Sequence, residues 1–267
     1  MPTLHLAILA LVQGITEFLP ISSSAHLVLT PHFLGWPDQG LVIDVAVHVG
    51  TLGAVCLYLH REIWEMLAGV TRAIRGRRDR GAKMAGLIVV ATIPVVAAGF
   101  AVNHYFPNGI RSIEVIGWAT LGFGILLWLA DRIGMTLRRM DHLDLSDAMV
   151  IGLAQTLALI PGTSRAGITM TAARLLGMER ADAARFSMLM SIPTIVAAGA
   201  LKGFELWQSG DARVTADAFV GAGLSFVAAL IAIALMMAWL KRASFTPFVV
   251  YRVVLGAGLL LVAYGVI

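Results

Sequence analysis

The chain is short of charge and nearly without cysteine, and each shortage removes a class of explanation. Charged residues make up 13% of the 267 positions and hydrophobic residues 58%. A soluble domain of that composition has too little polar surface to cover its apolar side chains. With a mean hydropathy of +0.84, the composition is that of a polytopic membrane protein. Cys56 is the single cysteine. An intrachain disulfide is therefore excluded, the redox compartment is not readable, and Cys56 is expected to serve as a small buried hydrophobe. Acidic residues number 16 against 20 Lys and Arg, a formal net charge of +4. No nucleic-acid partner is implied, because the basic residues gather mostly in two short loops between apolar spans, as the positive-inside rule requires. No Lys or Arg precedes the first apolar run, and that run contains Glu17. The segment is expected to be retained as structure and not removed as a signal peptide.

What is present is a series of apolar spans with two interruptions. Residues 4–19 are apolar enough for a helix, but Pro20 and the run Ser22-Ser23-Ser24 stop it before it covers a bilayer, and a short helix resumes over 22–34. Two short helices meeting at a polar tip read as a re-entrant hairpin, since irregular backbone at membrane depth survives only where it lines a protein cavity. Gly35 to Gly40 reads as a surface turn with Trp36 at the interface. Residues 41–59 read as a spanning helix with Asp44 and His48 near its start. The stretch that follows, to Lys83, reads as a cytoplasmic loop, because it carries Arg61, Arg72, Arg75, Arg77, Arg78 and Arg80. Span 84–102 then runs outward, 103–111 forms an outer loop, and 115–130 returns inward to Arg132, Arg138 and Arg139. Residues 147–177 form the second interrupted hairpin, with Pro161-Gly162 at its tip. Span 183–201 goes outward, 202–217 is an outer loop, 218–240 comes back to Lys241-Arg242, and 245–267 leaves again. The predicted fold is an all-α polytopic membrane protein, a single membrane domain whose halves, 1–135 and 145–267, each hold one re-entrant helical hairpin and three transmembrane helices. An odd number of crossings repeated in tandem inserts the opposite way up, which makes an inverted-topology repeat whose tips face each other near the midplane.

The tips carry the polar chemistry. Ionisable groups inside a bilayer are costly unless paired or wetted, so Glu17, His26 and Arg165 mark a candidate site. Ser22, Ser23 and Ser24 open a helix, where free N–H groups and hydroxyls suit an anion such as phosphate. On the other tip, Gly162 and Gly167 let backbone approach a ligand, Thr163, Ser164 and Thr169 add hydroxyls, and the fork of Arg165 matches phosphate oxygens. Together the tips read as a phosphate clamp. Only the first adds a carboxylate and an imidazole able to move protons or attack phosphorus. Plainer readings compete: three serines also cap a helix, a histidine also sits at an interface, and Asp44 with His48, four apart on one helix face, either lines the same cavity or serves helix packing. Arg174, Arg180, Arg185 and Arg252 read as cytoplasmic interface residues, and Gly117, Gly122, Gly124, Gly256 and Gly258 as close-packing positions.

Gln13-x-x-x-Glu17, Pro20-x-Ser22-Ser23-x-x-His26 and Pro161-Gly162-x-Ser164-Arg165 together resemble the undecaprenyl-diphosphate phosphatase family, also called the bacitracin-resistance family. The resemblance runs over essentially the whole chain and includes Phe245-x-Pro247-Phe248-x-x-Tyr251-Arg252. It implies a bacterial inner-membrane enzyme that removes the terminal phosphate of a C55 isoprenyl diphosphate drawn from the bilayer, with its active site toward the periplasm. Carried over by position, Glu17, Ser23, His26 and Arg165 match residues regarded as catalytic, and Ser22, Ser24, Gly162, Ser164 and Thr169 fall in the phosphate-binding set. A divalent cation, Mg2+ or Ca2+, is implied too, with Glu17 and Gln13 as its holders. Gln13 stands where many members have Glu, Ala25 where Gly is common, and Ala166 where Ser is common. The nucleophile stays open between Ser23, His26 and water. A homodimer is admitted but not required. A lipid-phosphate or small-anion transporter is the rival reading, since broken helices meeting at the midplane also suit transport. A structural protein is the third, though it has no use for buried Glu17, His26 and Arg165.

Overall fold

The computed structural model describes residues 2–37, 40–105, 112–208 and 216–266. Eleven α-helices follow one another in it: α1 (Thr3–Thr16), α2 (Ser23–Leu34), α3 (Leu41–Tyr58), α4 (His60–Ile74), α5 (Arg80–Tyr105), α6 (Ile113–Ile133), α7 (Leu145–Thr156), α8 (Arg165–Leu175), α9 (Arg180–Gln208), α10 (Ala216–Leu240) and α11 (Thr246–Ala263). Five of them, α5, α6, α9, α10 and α11, are long and apolar enough to cross a bilayer, and α3 with α4 makes a sixth if that bent pair is one span. The protein is an all-α polytopic membrane protein. Both interrupted hairpins fall where the sequence places them, as α1–α2 and α7–α8.

The halves of the chain interlock. α1 and α3 pack on α10, α6 on α11, and α5 on α7. Small residues make these approaches close: a Cβ on Gly50 of α3 would lie 2.1 Å from Ala222 O of α10. Ser225 of α10 uses the same proximity, its Oγ donating to Val47 O at 2.8 Å. Dispersion and backbone approach hold such helices together in lipid, where burial of apolar surface gives little drive. Gly117 and Gly256 meet across α6 and α11 in the same way, whereas Gly122 and Gly258 face open space.

Several boundaries differ from expectation. The stretch expected as a loop after residue 59 is the helix α4, bent by 78° from α3. Its Trp64, Leu67 and Ile74 turn outward along one side while Arg61, Glu65 and Arg72 occupy others, the layout of a helix lying in the membrane interface. The outer loop expected from Lys202 is helical as far as Gln208, and α5 continues to Tyr105. The rest of those two loops, 106–111 and 209–215, and Asp38-Gln39 of the first turn lie outside the described residues.

Arg174 and Arg252 are also not interface residues: both are fully buried. Arg174 donates from Nε to Asp131 Oδ1 at 3.1 Å and from its other nitrogens to Met178 O and Gly134 O. Arg180 Nε reaches the same Asp131 Oδ1 at 2.7 Å, and Phe245 N donates to Oδ2 at 3.2 Å. One buried carboxylate thus ties the ends of α6 and α8 to the starts of α9 and α11.

Candidate functional site

The first tip begins where α1 runs out. Glu17 still has helical dihedrals and its N–H bonds to Gln13 O at 3.0 Å. Pro20 has no N–H with which to continue the helix. The chain turns through Phe18, Leu19, Pro20 and Ile21 and enters α2 at Ser22, whose φ of 74° and ψ of 89° are left-handed. Such a backbone costs on the order of 1–3 kcal/mol in a residue with a Cβ and persists only where its surroundings enforce it. Ser22 Oγ caps α2 by accepting from Ala25 N at 3.4 Å. Because the turn is that tight, Ser23 and Ser24 emerge directly into the space beyond the break.

The second tip repeats the device. Ser164 has a φ of 70° and caps α8, its Oγ accepting from Gly167 N at 3.1 Å. Among the described residues Ser22 and Ser164 are the two non-glycines with positive φ. Gly162, at φ 95°, is pressed against α6 and has no room for a Cβ, which would lie 2.5 Å from Ile116 O.

Between the tips, α3 and α9 lies a cavity of about 370 Å³ lined by Glu17, Ser23, Ser24, Ser164, Arg165, Asp44, His48 and Lys202, with smaller side chains of α9. Arg165 closes its floor. The guanidinium donates from Nη2 to Glu17 Oε1 at 3.1 Å and from Nη1 to Ser187 O at 3.2 Å, and it sits 5.8 Å above the Phe18 ring. Glu17 Oε2 accepts from Ser23 Oγ at 2.7 Å and from Gln13 Nε2 at 2.9 Å. His48 donates from Nδ1 to Asp44 O at 2.7 Å, which turns its Nε2 toward Glu17 Oε2 at 4.0 Å. A carboxylate bonded to a hydroxyl, beside a guanidinium in a small polar cavity, can take a proton and stabilise charge on a phosphoryl group.

The structure brings Glu17, Ser23, Ser24, Ser164 and Arg165 together from the sequence-derived set. The others stand behind the lining. Ser22 is spent on its cap, and Gly162 O accepts from Arg252. Thr169 is buried, with its hydroxyl bonded to Ser187 Oγ at 2.7 Å and to Arg165 O at 2.8 Å. It supports the helix turn that carries Arg165 and the residue whose carbonyl grips it, and does not present a donor to the cavity. His26 turns to Tyr251 of α11, with Nε2 2.5 Å from the hydroxyl. Gln13 is buried beneath Glu17.

Three residues that sequence reasoning did not assign to the site are here. Lys202 lines the cavity because α9 is longer than its apolar run. Tyr251 meets His26. Arg252 donates from Nη1 to Pro20 O at 3.3 Å, and from Nη2 to Gly162 O at 3.0 Å and Thr163 O at 2.9 Å. Its Nε donates to Thr120 O of α6 at 3.1 Å. One guanidinium therefore binds both tips. The signal for it was present in the sequence, as a Tyr-Arg pair inside an apolar span, which only a partner within the protein makes affordable.

The donors suit a divalent cation in part. Among the described residues no three His, Cys, Asp or Glu side chains gather closely enough to form a cage. Gln13 Oε1 is buried with no hydrogen-bond partner, beside the Glu17 carboxylate. One carboxylate and one amide oxygen fit an ion that takes its remaining ligands from phosphate and water, as Mg2+ commonly does.

The profile of the family described as "Bacitracin resistance protein BacA" matches residues 6–258. The undecaprenyl-diphosphatase of Ruegeria pomeroyi is 53% identical over 266 residues, 99% of this chain and 100% of its own length. That of Jannaschia sp. is 55% identical over 261 residues, 97% of this chain and 98% of its own. The undecaprenyl-diphosphatase 1 of Rhodospirillum rubrum is 50% identical over 268 residues, 98% of this chain and 95% of its own. Matched along nearly all of its length by the profile and by these relatives, the chain belongs to the bacitracin resistance protein BacA family.

Proposed function

We propose that the protein is an integral membrane phosphatase that converts undecaprenyl diphosphate to undecaprenyl phosphate and inorganic phosphate. The same reaction recycles the lipid carrier for cell-wall synthesis and gives resistance to bacitracin. The observation that carries the chemistry is the chain Ser23 Oγ to Glu17 Oε2 at 2.7 Å and Arg165 to Glu17 Oε1 at 3.1 Å. The lipid diphosphate enters sideways from the bilayer with its head group between the tips. Its terminal phosphate draws the Arg165 guanidinium away from Glu17, since a phosphate dianion holds the fork more strongly than one carboxylate. Glu17, relieved of its counter-charge, is then the stronger base and takes the proton of Ser23. Ser23 Oγ bonds to the terminal phosphorus, the bridging P–O bond breaks, and undecaprenyl phosphate leaves with its oxygen. Glu17 passes its proton to the departing undecaprenyl phosphate, then takes one from the water that attacks the seryl phosphate and returns it to Ser23 Oγ as inorganic phosphate leaves. Arg165 and the α2 and α8 N-termini stabilise the charge on the transferring group throughout. A divalent cation would be held by Glu17 and Gln13 Oε1 and would screen the diphosphate charge.

We infer that the cavity opens toward the outer face of a bacterial inner membrane. Its walls are the beginning of α3, with Asp44 and His48, and the later part of α9, with Thr194 and Lys202. Both lie at the opposite end of their helices from the arginine-rich segments around Arg61 and Arg180. The positive-inside rule puts those segments in the cytoplasm and the cavity toward the periplasm.

Phosphate release from a C55 isoprenyl diphosphate by the purified protein, with and without Mg2+ or Ca2+, tests this reading. Wild type is expected to turn over, and Glu17→Ala and Arg165→Ala to fall below about a thousandth of it, as when one preorganised charge is removed from a dry site. Full activity in Arg165→Ala would refute the assignment, and a folded, inactive wild type would transfer the weight to lipid-phosphate transport, read as vesicle flux.

A further inference from the structure

The proposed reaction needs a base for Ser23, and His26 is the group the sequence offers first. Both of its ring nitrogens are committed elsewhere. Nδ1 lies 2.6 Å from Ser22 O, which only accepts, so Nδ1 carries the proton. Nε2 is then the acceptor of the neutral ring and takes the hydroxyl of Tyr251 at 2.5 Å, the two rings lying 13° from parallel. Neither His26 nor Tyr251 lines the cavity, and Ser23 already donates to Glu17.

What His26 does hold is the carbonyl of Ser22, the residue whose left-handed backbone sets the direction of Ser23. We propose that Tyr251 is a positioning residue of the phosphatase reaction and acts through His26. The Ser22 carbonyl dictates that Nδ1 carries the proton; Tyr251, by bonding Nε2, holds the ring in the orientation in which that N–H grips Ser22 and keeps Ser23 aimed at Glu17. In the other tautomer, Nδ1 would turn a lone pair on the Ser22 oxygen and the grip would become a repulsion. A backbone conformation this costly needs such an enforcing contact. The neighbouring Arg252 holds the second tip through Gly162 O and Thr163 O, so successive residues of α11 secure the two strained turns. The proposal rests on the phosphatase reading of the cavity.

Its test is the kcat, KM and pH dependence of phosphate release in Tyr251→Phe, His26→Asn and His26→Leu. An asparagine amide occupies roughly the place of Nδ1–H and can still donate to Ser22 O, but it cannot act as a base. His26→Leu is expected to lower kcat about 100-fold, the cost of misplacing a reacting atom by roughly 1 Å. His26→Asn should recover to within about tenfold of wild type, and Tyr251→Phe should lose about tenfold, the worth of one hydrogen bond. In all three, KM should stay within about twofold and the acidic limb of the pH profile should not move, since the base is Glu17. A folded His26→Asn protein as inactive as His26→Leu, or one that has lost its acidic limb, would overturn the proposal. Nitrogen NMR of 15N-histidine-labelled protein supplies a readout apart from turnover. His26 should show a protonated Nδ1 in wild type, and in Tyr251→Phe a shifted Nε2 resonance from the lost hydrogen bond. A protonated Nε2 in wild type would overturn the proposal. If wild type releases no phosphate, the phosphatase reading falls and the Tyr251 proposal falls with it, the NMR result then reporting only whether the contact exists.

Discussion

Arg252→Lys puts the clamp between the tips to a quantitative test. The native guanidinium satisfies the carbonyls of Pro20, Gly162 and Thr163, and it is fully buried with no carboxylate among its hydrogen-bond partners. The α6 carbonyls it also meets, Ala119 and Thr120, lie inside a helix that already uses them. Lysine has the charge but not the fork, and its ammonium can reach one of the three tip carbonyls. Gly162 O keeps the Thr120 hydroxyl at 3.4 Å, so a lysine that serves it leaves Pro20 O and Thr163 O buried and unpaired, at a total of about 3 kcal/mol taken from the lower half of the usual range. If that falls on the alignment of the tips, kcat drops about 100-fold. Arg252→Met loses all three bonds but also removes an isolated buried charge, whose desolvation opposes folding. It should therefore be as inactive as the lysine variant while losing less thermal stability. Phosphate release and thermal melting in detergent measure the two quantities separately. Turnover of Arg252→Lys within twofold of wild type would refute the clamp, and a Met variant melting well below the Lys variant would refute the charge argument.

Other expectations follow from single contacts. Lys202→Gln removes a cation from the cavity wall and should raise KM for the diphosphate several-fold with kcat little changed, and should flatten the dependence of kcat/KM on ionic strength; an unaltered salt dependence would exclude Lys202 from substrate capture. Asp131→Asn leaves Arg174 fully buried without its counter-charge and should cost about 3–5 kcal/mol, seen as a fall in melting temperature in detergent. Gly50→Val drives a side chain into the α10 backbone and should lower the yield of folded protein, whereas Gly258→Val, which faces open space, should not.

Those residues divide along a line that also separates what could be read in the sequence from what could not. Pro20 and Pro161-Gly162 advertise the two breaks because proline ends a helix whatever surrounds it. Glu17 and Arg165 stand out because lone charges in apolar runs must be answered within the protein. Local chemistry was sufficient in each case. Arg252 obeys the same rule, yet its partners are the carbonyls of two distant turns, Pro20 and Gly162-Thr163. No pattern in α11 names them, and the sequence by itself asks only for some partner within the protein. The partner of His26 was unreadable for a related reason. Its neighbours in sequence are the serines of the tip, but its imidazole bonds to Tyr251 of α11, a partner 225 residues away that no local pattern names. In α4 the arginines masked a helical stripe of Trp64, Leu67 and Ile74, since charge density is read as loop before period is read as helix.

The position of the clamp in the chain sets a timetable for the enzyme. Both strained turns belong to segments made early or midway through synthesis, while Tyr251 and Arg252 sit on α11, which follows every other helix. Until α11 is inserted, Pro20, Gly162 and Thr163 have no guanidinium to meet, and the tips that carry Glu17, Arg165 and the serines lack the clamp that joins their backbones. A chain still leaving the ribosome is therefore expected to hold no ordered site at the tips, however completely its earlier spans have entered the membrane. If the clamp is what aligns the tips, a protein cut before α11 is expected to release no phosphate, silent instead of slow.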